Sequence, residues 1–180
     1  MLDAGDPART ADPRRRRVTL TIALVLLLLA GAAWWVDQSR VEREGGQLSS
    51  CVRSAESTAA TAEGRVAMMR EYVRPVIGNA DETTQRGLYA LVREQAQVGL
   101  PAYRRVRDTC ADVPVSAWHE DLRRARTAYL TYLDTRLGLL ESIARDGGRD
   151  LRVDAGEIPR LREAAFTALR GAGLSDVPDS

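Results

Sequence analysis

Lysine is missing altogether from this chain of 180 residues; histidine occurs once, cysteine twice, and aromatic residues make up 5%. Each shortage excludes something. One histidine and two distant cysteines cannot supply the Cys/His sets that usually hold structural zinc. The stretch around the single histidine, His119-Glu120-Asp121-Leu122-Arg123, has arginine where a zinc-protease motif needs its second histidine. His119 is therefore expected to be a solvent-exposed residue in a first helical turn. No Gly-rich phosphate loop or Gly-x-Gly-x-x-Gly is present, and no serine or cysteine stands beside a recognisable base motif. The acidic pairs Asp81-Glu82 and Glu120-Asp121 look like helix-start carboxylates. Catalysis, cofactor and metal are accordingly not expected.

Period-two alternation is absent as well, and alanine, leucine and arginine dominate, which favours an all-α chain. All 26 basic residues are arginine, a global pattern that reads as the codon bias of a GC-rich genome. Net charge is +1, and after Val36 there are 21 arginines interleaved with 22 acidic residues. A near-neutral domain of this kind lacks the basic footprint of a nucleic-acid binder.

What the chain does have is one long apolar run. Val18–Val36 is nineteen residues without a charge, about 28 Å as a helix and close to the thickness of a bilayer core. Arg14, Arg15, Arg16 and Arg17 precede it and Trp34 and Trp35 close it. Arginines on one side and indoles at the far interface orient the span with the N-terminus in the cytoplasm. A cleaved signal peptide, cut after Ala32 to release a secreted helical protein, is the competing reading. The run exceeds the usual 7–15 residue signal core, and a mature chain would begin just before the tryptophan pair. Cys51 lies too far along for a lipobox. The expected protein is a single-pass membrane protein of a bacterial cell envelope, with its C-terminal domain extracytoplasmic.

Beyond the run, Leu48, Val52, Ala55, Ala59, Ala62, Val66, Met69, Val73 and Val76 are spaced alternately by four and three. This heptad predicts one long helix over 46–78. Pro75 bends or ends it, and Gly78-Asn79-Ala80-Asp81 forms a turn with Asp81 or Thr83 as the next cap. A second helix is expected over 82–111, burying Leu88, Leu91, Val92, Val98, Ala102, Val106 and Cys110. Gly99-Leu100-Pro101 either kinks it or divides it. A third is expected over 117–146, capped by Ser116. Trp118, Leu122, Ala125, Tyr129, Tyr132, Leu139 and Ile143 form one stripe, and Leu130, Leu133, Leu137 and Leu140 an adjacent one. A fourth, over 158–170, points Leu161, Ala165, Phe166 and Leu169 inward. The organisation predicted is a cytoplasmic tail (1–17), a transmembrane helix (18–36), a stalk hinged at Gly45-Gly46 (37–47), an up-down antiparallel helical bundle (48–172) and a flexible tail (173–180). One unbroken helix from the membrane into the bundle is the rival to the hinge, since Val41 also keeps the heptad phase.

The cysteines add a geometric constraint. Residues at equal height on an antiparallel hairpin are equidistant from its turn, and the midpoint of Cys51 and Cys110 is 80.5, inside the turn placed independently from glycine and asparagine. A Cys51–Cys110 disulfide is expected on the oxidising side of the membrane.

Two surfaces remain. Arg104, Arg105, Arg107, Arg123, Arg124 and Arg126 flank the connection between the second and third helices and are read as possible contacts for anionic lipid headgroups. Interspersed acids make a plain solvated face the alternative. Tyr72, Tyr89, Tyr103, Tyr129 and Tyr132 would line a ligand cleft or sit at the core edge with wet hydroxyls. One membrane helix plus a helical bundle resembles extracytoplasmic sensor domains of bacterial receptors, which carry a second membrane helix and an output domain not found in this sequence. Membrane lipid, and a protein partner or self-association, are the partners expected. The leading function is a non-enzymatic interaction or scaffold module, and the alternative is a ligand-binding accessory domain acting through a partner membrane protein.

Overall fold

A computed structural model describes residues 13–149 and 156–174, with side chains from Leu20 onward; these residues form four helices and no strand. The helices are α1 (Pro13–Ile77), α2 (Glu82–Ala111), α3 (Glu120–Asp146) and α4 (Glu157–Gly171). The chain divides into two compact units, Met1–Glu42 and Arg43–Ser180. The side chains of Arg14–Arg17, most of the expected cytoplasmic tail and the end of the C-terminal tail lie outside the described residues.

In the first unit α1 carries the apolar run. It is long and apolar enough to cross a membrane, and its large side chains, Leu27, Trp34 and Trp35 among them, are exposed.

In the second unit the heptad of α1 forms a buried seam. Leu48, Val52, Ala55, Ala59, Ala62, Val66 and Val73 are buried, Met69 is half-buried, and Val76 is exposed at the helix end. α1 is helical through Gly45 and Gly46, the course of the unbroken helix given above as the rival to a hinge. Gly45 extends the seam: a Cβ there would stand 3.1 Å from Leu174 and 3.9 Å from Leu122, so its bareness makes room for two leucines. Pro75 lies in the last turn of α1, and Asp81 then caps α2 by accepting from the Thr84 amide at 2.8 Å.

α2 spans the predicted residues, and Val92, Val106 and Cys110 of the expected side are buried with Leu88 half-buried, but the inward side is rotated from the one expected. Leu91, Val98 and Ala102 are exposed, while Val92, Ala96, Gly99, Leu100, Tyr103, Val106 and Cys110 are buried. The true seam, 92-96-99-103-106-110, is itself a heptad. It was hidden because two of its positions are glycine and tyrosine. Gly99 faces Ala62, where a Cβ would come within 2.8 Å of the alanine methyl, so only glycine permits this approach of α1 and α2. α2 also continues through Pro101, which is exposed.

α3 starts three residues later than expected. His119, not Ser116, is at its N-cap, and Trp118 is 62% exposed rather than buried. Its C-terminus closes on Gly147 at φ 74°, whose amide donates to the Ile143 carbonyl. Along α3, Leu122, Ala125, Tyr129, Tyr132, Leu133, Leu140 and Ile143 are buried. α4 buries Ala165, Phe166 and Leu169 and sets Phe166 edge-on to Tyr129 and Tyr132 at 6.3 and 6.4 Å.

The cross-helix contacts fix relative directions. Cys51 meets Cys110 and Ala62 meets Gly99, an advance of eleven residues on α1 against a retreat of eleven on α2. Arg107 reaches Asp134 and Arg104 reaches Glu141, so α2 and α3 also run oppositely. Tyr129 bonds Glu56 and Arg136 bonds Glu63, so α1 and α3 advance together.

Candidate functional site

Cys51 on α1 and Cys110 on α2 stand at disulfide distance, with Cα atoms 5.5 Å apart. Both are buried at the end of the hairpin away from the 78–81 turn, the height that the midpoint argument requires.

The most unusual part of the core is a charge. Arg136 occupies an inward position of α3, one turn after Tyr132 and one before Leu140, and is 8% exposed. Its guanidinium makes a two-pronged bond to Glu63 at 2.8 Å on each arm. A second edge donates to Glu56 at 3.1 and 3.2 Å and to the Tyr132 hydroxyl at 2.7 Å. The Tyr129 hydroxyl adds a 3.0 Å bond to Glu56 and a longer one to the Val52 carbonyl. Burial opposes the Arg136 charge, but the bonds and fields of Glu63 and its neighbours outweigh it and hold the guanidinium charged. Burial pushes the Tyr129 hydroxyl up, reinforced by the Glu56 carboxylate, and burial likewise raises Tyr103. The Tyr103 hydroxyl is buried with no hydrogen-bond partner among the described residues.

Three of the five tyrosines (Tyr103, Tyr129 and Tyr132) thus sit in the core; Tyr72 is exposed, and Tyr89 is half-buried under the Arg149 guanidinium. The cluster's donors and acceptors face one another and tie α1 to α3. Glu63 and Arg136 also line a groove of about 180 Å³ with Val66, Leu139 and Leu140.

A second polar cluster ties α1 to the connection before α3. Glu44 accepts from the Ser116 amide at 2.9 Å and from the Ser116 hydroxyl, and His119 Nδ1 stands 2.7 Å from the Glu44 Oε2. His119 is therefore buried, at 9% exposure, which corrects the exposed residue expected from sequence. It faces inward because the connection folds back over Glu44, a contact 75 residues distant that local pattern does not encode. Partial burial pushes the Glu44 carboxyl up, but the Ser116 bonds and the His119 ring together leave it below the ordinary carboxylate value. The Ser116 hydroxyl donates to Glu44, and Ser116 meets His119 through the backbone, where the His119 amide donates to the Ser116 carbonyl at 3.0 Å. Among the described residues no group of three or more His, Cys, Asp or Glu side chains is placed to hold a metal.

The six arginines singled out for headgroups are held in different ways. Arg104 pairs with Glu141 and Arg107 with Asp134, both on α3. Arg124 pairs with Glu120, while Arg123 and Arg126 donate to the Ala117 and Val113 carbonyls of the connection. Arg105 has no ion-pair partner among the described residues.

The outer side of the α1–α2 hairpin is different in kind. Met68 and Tyr72 on α1 are 72% and 73% exposed; Leu91 and Val98 on α2 are 39% and 54% exposed. Residues 68, 72 and 76 follow one helical stripe, and 91, 95 and 98 another. A groove of about 360 Å³, lined by Arg65, Met68, Met69, Tyr72 and Gln95, joins the two stripes.

Sequence reasoning passed over Glu44, Glu56, Glu63 and Arg136, and expected Ser116 as a helix cap rather than as a partner of Glu44. One signal was available: Glu56 and Glu63 are seven residues apart, in one row beside the α1 seam, and Arg136 continues the Tyr129–Tyr132 stripe of α3. No family model, curated protein or solved structure matches this chain.

Proposed function

We propose that this protein is a membrane-anchored, non-enzymatic interaction module of a bacterial cell envelope. Its N-terminal tail is cytoplasmic, Val18–Val36 spans the membrane, and the remainder is an extracytoplasmic up-down bundle stapled by a Cys51–Cys110 disulfide. Antiparallel contacts of α1 with α2 and of α2 with α3 support that bundle. The observation that carries the functional reading is the gathering of exposed apolar residues. Of six large hydrophobic residues exposed among the described residues of the second unit, five (Met68, Tyr72, Val76, Leu91 and Val98) lie on the outer side of one hairpin. A contiguous apolar face rimmed by polar residues marks a protein-binding surface.

A ligand-binding accessory role is less well supported. It calls for a polar cavity among the tyrosines, whereas the Tyr129 and Tyr132 hydroxyls are engaged by Glu56 and Arg136. Headgroup contact by Arg123 and Arg124 beside exposed Trp118 is a further part of the proposal, and liposome flotation tests it. Equal binding to neutral and anionic vesicles would remove it.

Because the chain has no lysine, amine-reactive crosslinkers do not reach the domain. The test is photocrosslinking in native membranes, with a benzophenone residue placed in turn at exposed positions of α1, α2 and α3. A discrete protein adduct is expected. Silence from every position would overturn the interaction reading, and loss of the protein in a carbonate wash, or a mature N-terminus at Ala33, would overturn the anchor.

A further inference from the structure

The charged cluster in the core has an open side. The groove between α1 and α3 reaches it, with Val66, Leu139, Leu140 and Ile143 as its apolar wall. Its charged lining is Glu63, Arg70 and Arg136. Arg136 is buried and Arg70 exposed, so one guanidinium lies at the inner end and the other at the mouth. Glu63 accepts two parallel bonds of 2.8 Å from Arg136, the geometry in which a guanidinium takes a carboxylate. Its side chain is 41% exposed, and a pair of that exposure is worth little, because water replaces Arg136 when Glu63 turns outward. A second polar group stands beside the cluster. Tyr103 is wholly buried within the fields of Arg136 and Glu63, and its hydroxyl has no hydrogen-bond partner among the described residues. That hydroxyl is a donor left unused by the side chains around it.

We infer that this groove is a site for a small aliphatic carboxylate, whose acid group takes the place of Glu63 on Arg136 and whose chain lies along Val66, Leu139, Leu140 and Ile143. The exchange keeps two carboxylates on Arg136, the ligand's and that of Glu56, so the charge balance around the guanidinium is unchanged. It adds burial of the ligand's apolar chain, which Glu63 does not supply. Arg70 at the mouth attracts an acid and repels an amine. Pockets for drug-sized ligands run from about 300 Å³ upward, so a groove of about 180 Å³ suits a short chain. Glu63 is then a built-in competitor for the guanidinium, and its replacement by a neutral residue favours the ligand. The site stands apart from the outer face of the α1–α2 hairpin, and neither reading depends on the other.

The test uses the full chain in nanodiscs of zwitterionic lipid, with protein-free nanodiscs as the blank, and saturation-transfer NMR observed on the ligand. Valerate is the acid probe, pentylamine its cationic counterpart, and acetyl-glycyl-leucine a bulkier peptide with the same end group. Valerate is expected to bind saturably and the other two not to bind. Glu63→Gln should tighten valerate binding about fivefold, the worth of a half-exposed ion pair, by removing the competitor. Ala67→Leu, at an exposed position of the groove lining, should fill the groove and abolish binding. A cooperative thermal transition by circular dichroism establishes that each variant folds. No saturable signal from valerate with wild type and with Glu63→Gln would overturn the inference, as would equal binding of pentylamine. So would an affinity that Glu63→Gln leaves unmoved, or one that Ala67→Leu leaves unmoved. Binding of the peptide without valerate would overturn the assignment to a small free acid.

Discussion

Replacing Arg136 with methionine tests whether the charged cluster in the core is as desolvated as its geometry implies. Methionine keeps most of the apolar stem and leaves little void, so loss of the guanidinium dominates. Removing one partner of a buried ion pair costs about 3–5 kcal/mol, because the other charge stays buried without compensation. Here the two carboxylates differ. The Glu63 side chain is 41% exposed and can turn to water, so its share is that of a surface pair, about 0–1 kcal/mol. The Glu56 side chain is 18% exposed and keeps one bond, from the Tyr129 hydroxyl. Nearly all the penalty therefore falls on Glu56, and Arg136→Met should cost about 3 kcal/mol, the low end of the range. At roughly 3–5 °C per kcal/mol for a unit of this size, the melting temperature should fall by about 10–15 °C. Thermal unfolding of the full chain in detergent, followed by circular dichroism, measures it. A double-mutant cycle assigns it: Glu56→Gln should recover most of the loss in the Arg136→Met background, and Glu63→Gln little of it. Equal recovery by the two would refute the ranking by exposure, and a loss under about 1 kcal/mol would mean that water already reaches the cluster.

Three further outcomes are expected. Cys51→Ala/Cys110→Ala should cost about 4 kcal/mol, from the chain entropy of the loop closed between residues 59 apart; non-reducing peptide mapping of the exported protein should recover the linked pair, and two freely alkylatable thiols would refute the staple. Gly99→Ala should destabilise by about 1–3 kcal/mol although alanine is the better helix former, because its methyl meets Ala62; Ala62→Gly in the same chain should restore most of the loss, and a Gly99→Ala protein more stable than wild type would refute the close contact. The Glu44 carboxyl lies below its ordinary value in the folded state, so its contribution is fully present above the unfolded value of 4.5 and fades as pH falls through the folded one; the stability gap between wild type and Glu44→Gln should be widest above about pH 5 and close on acidification, and a gap that grows towards acid would show the sign to be wrong.

The seam of α1 is legible in the sequence because its residues are small or branched apolar ones in unbroken heptad phase, with polar residues between. The turn and the cysteine pair are legible for a different reason: glycine and asparagine locate the turn, and equal distance along two helices needs no knowledge of side-chain packing. Arg136 was illegible because a charged residue in an apolar stripe reads as a solvent-facing exception; it becomes a core residue only once Glu56 and Glu63 are known to lie opposite. Glu44 and His119 fail the same way, since their meeting depends on how the connection folds back across many residues.

α2 is the instructive case, because its sequence carries two rows with the same spacing. One contains Leu91, Val98 and Ala102; the other contains Val92, Ala96, Gly99, Tyr103 and Val106. The first also carries Gln95 and Arg105, but both rows hold enough apolar residues to be read as a buried side, and hydrophobic periodicity does not choose cleanly between rows that share a period. The choice is made by contact: a helix packed on the alanine layer of α1 gains most by bringing its barest residue against Ala62, and that residue is Gly99. With Gly99 inward, Val98 and Ala102 are carried outward by helical geometry, whatever their preference for burial. The tight centre of the hairpin and the exposed apolar row on its back are thus two results of one orientation, set by a glycine that an apolar count leaves out.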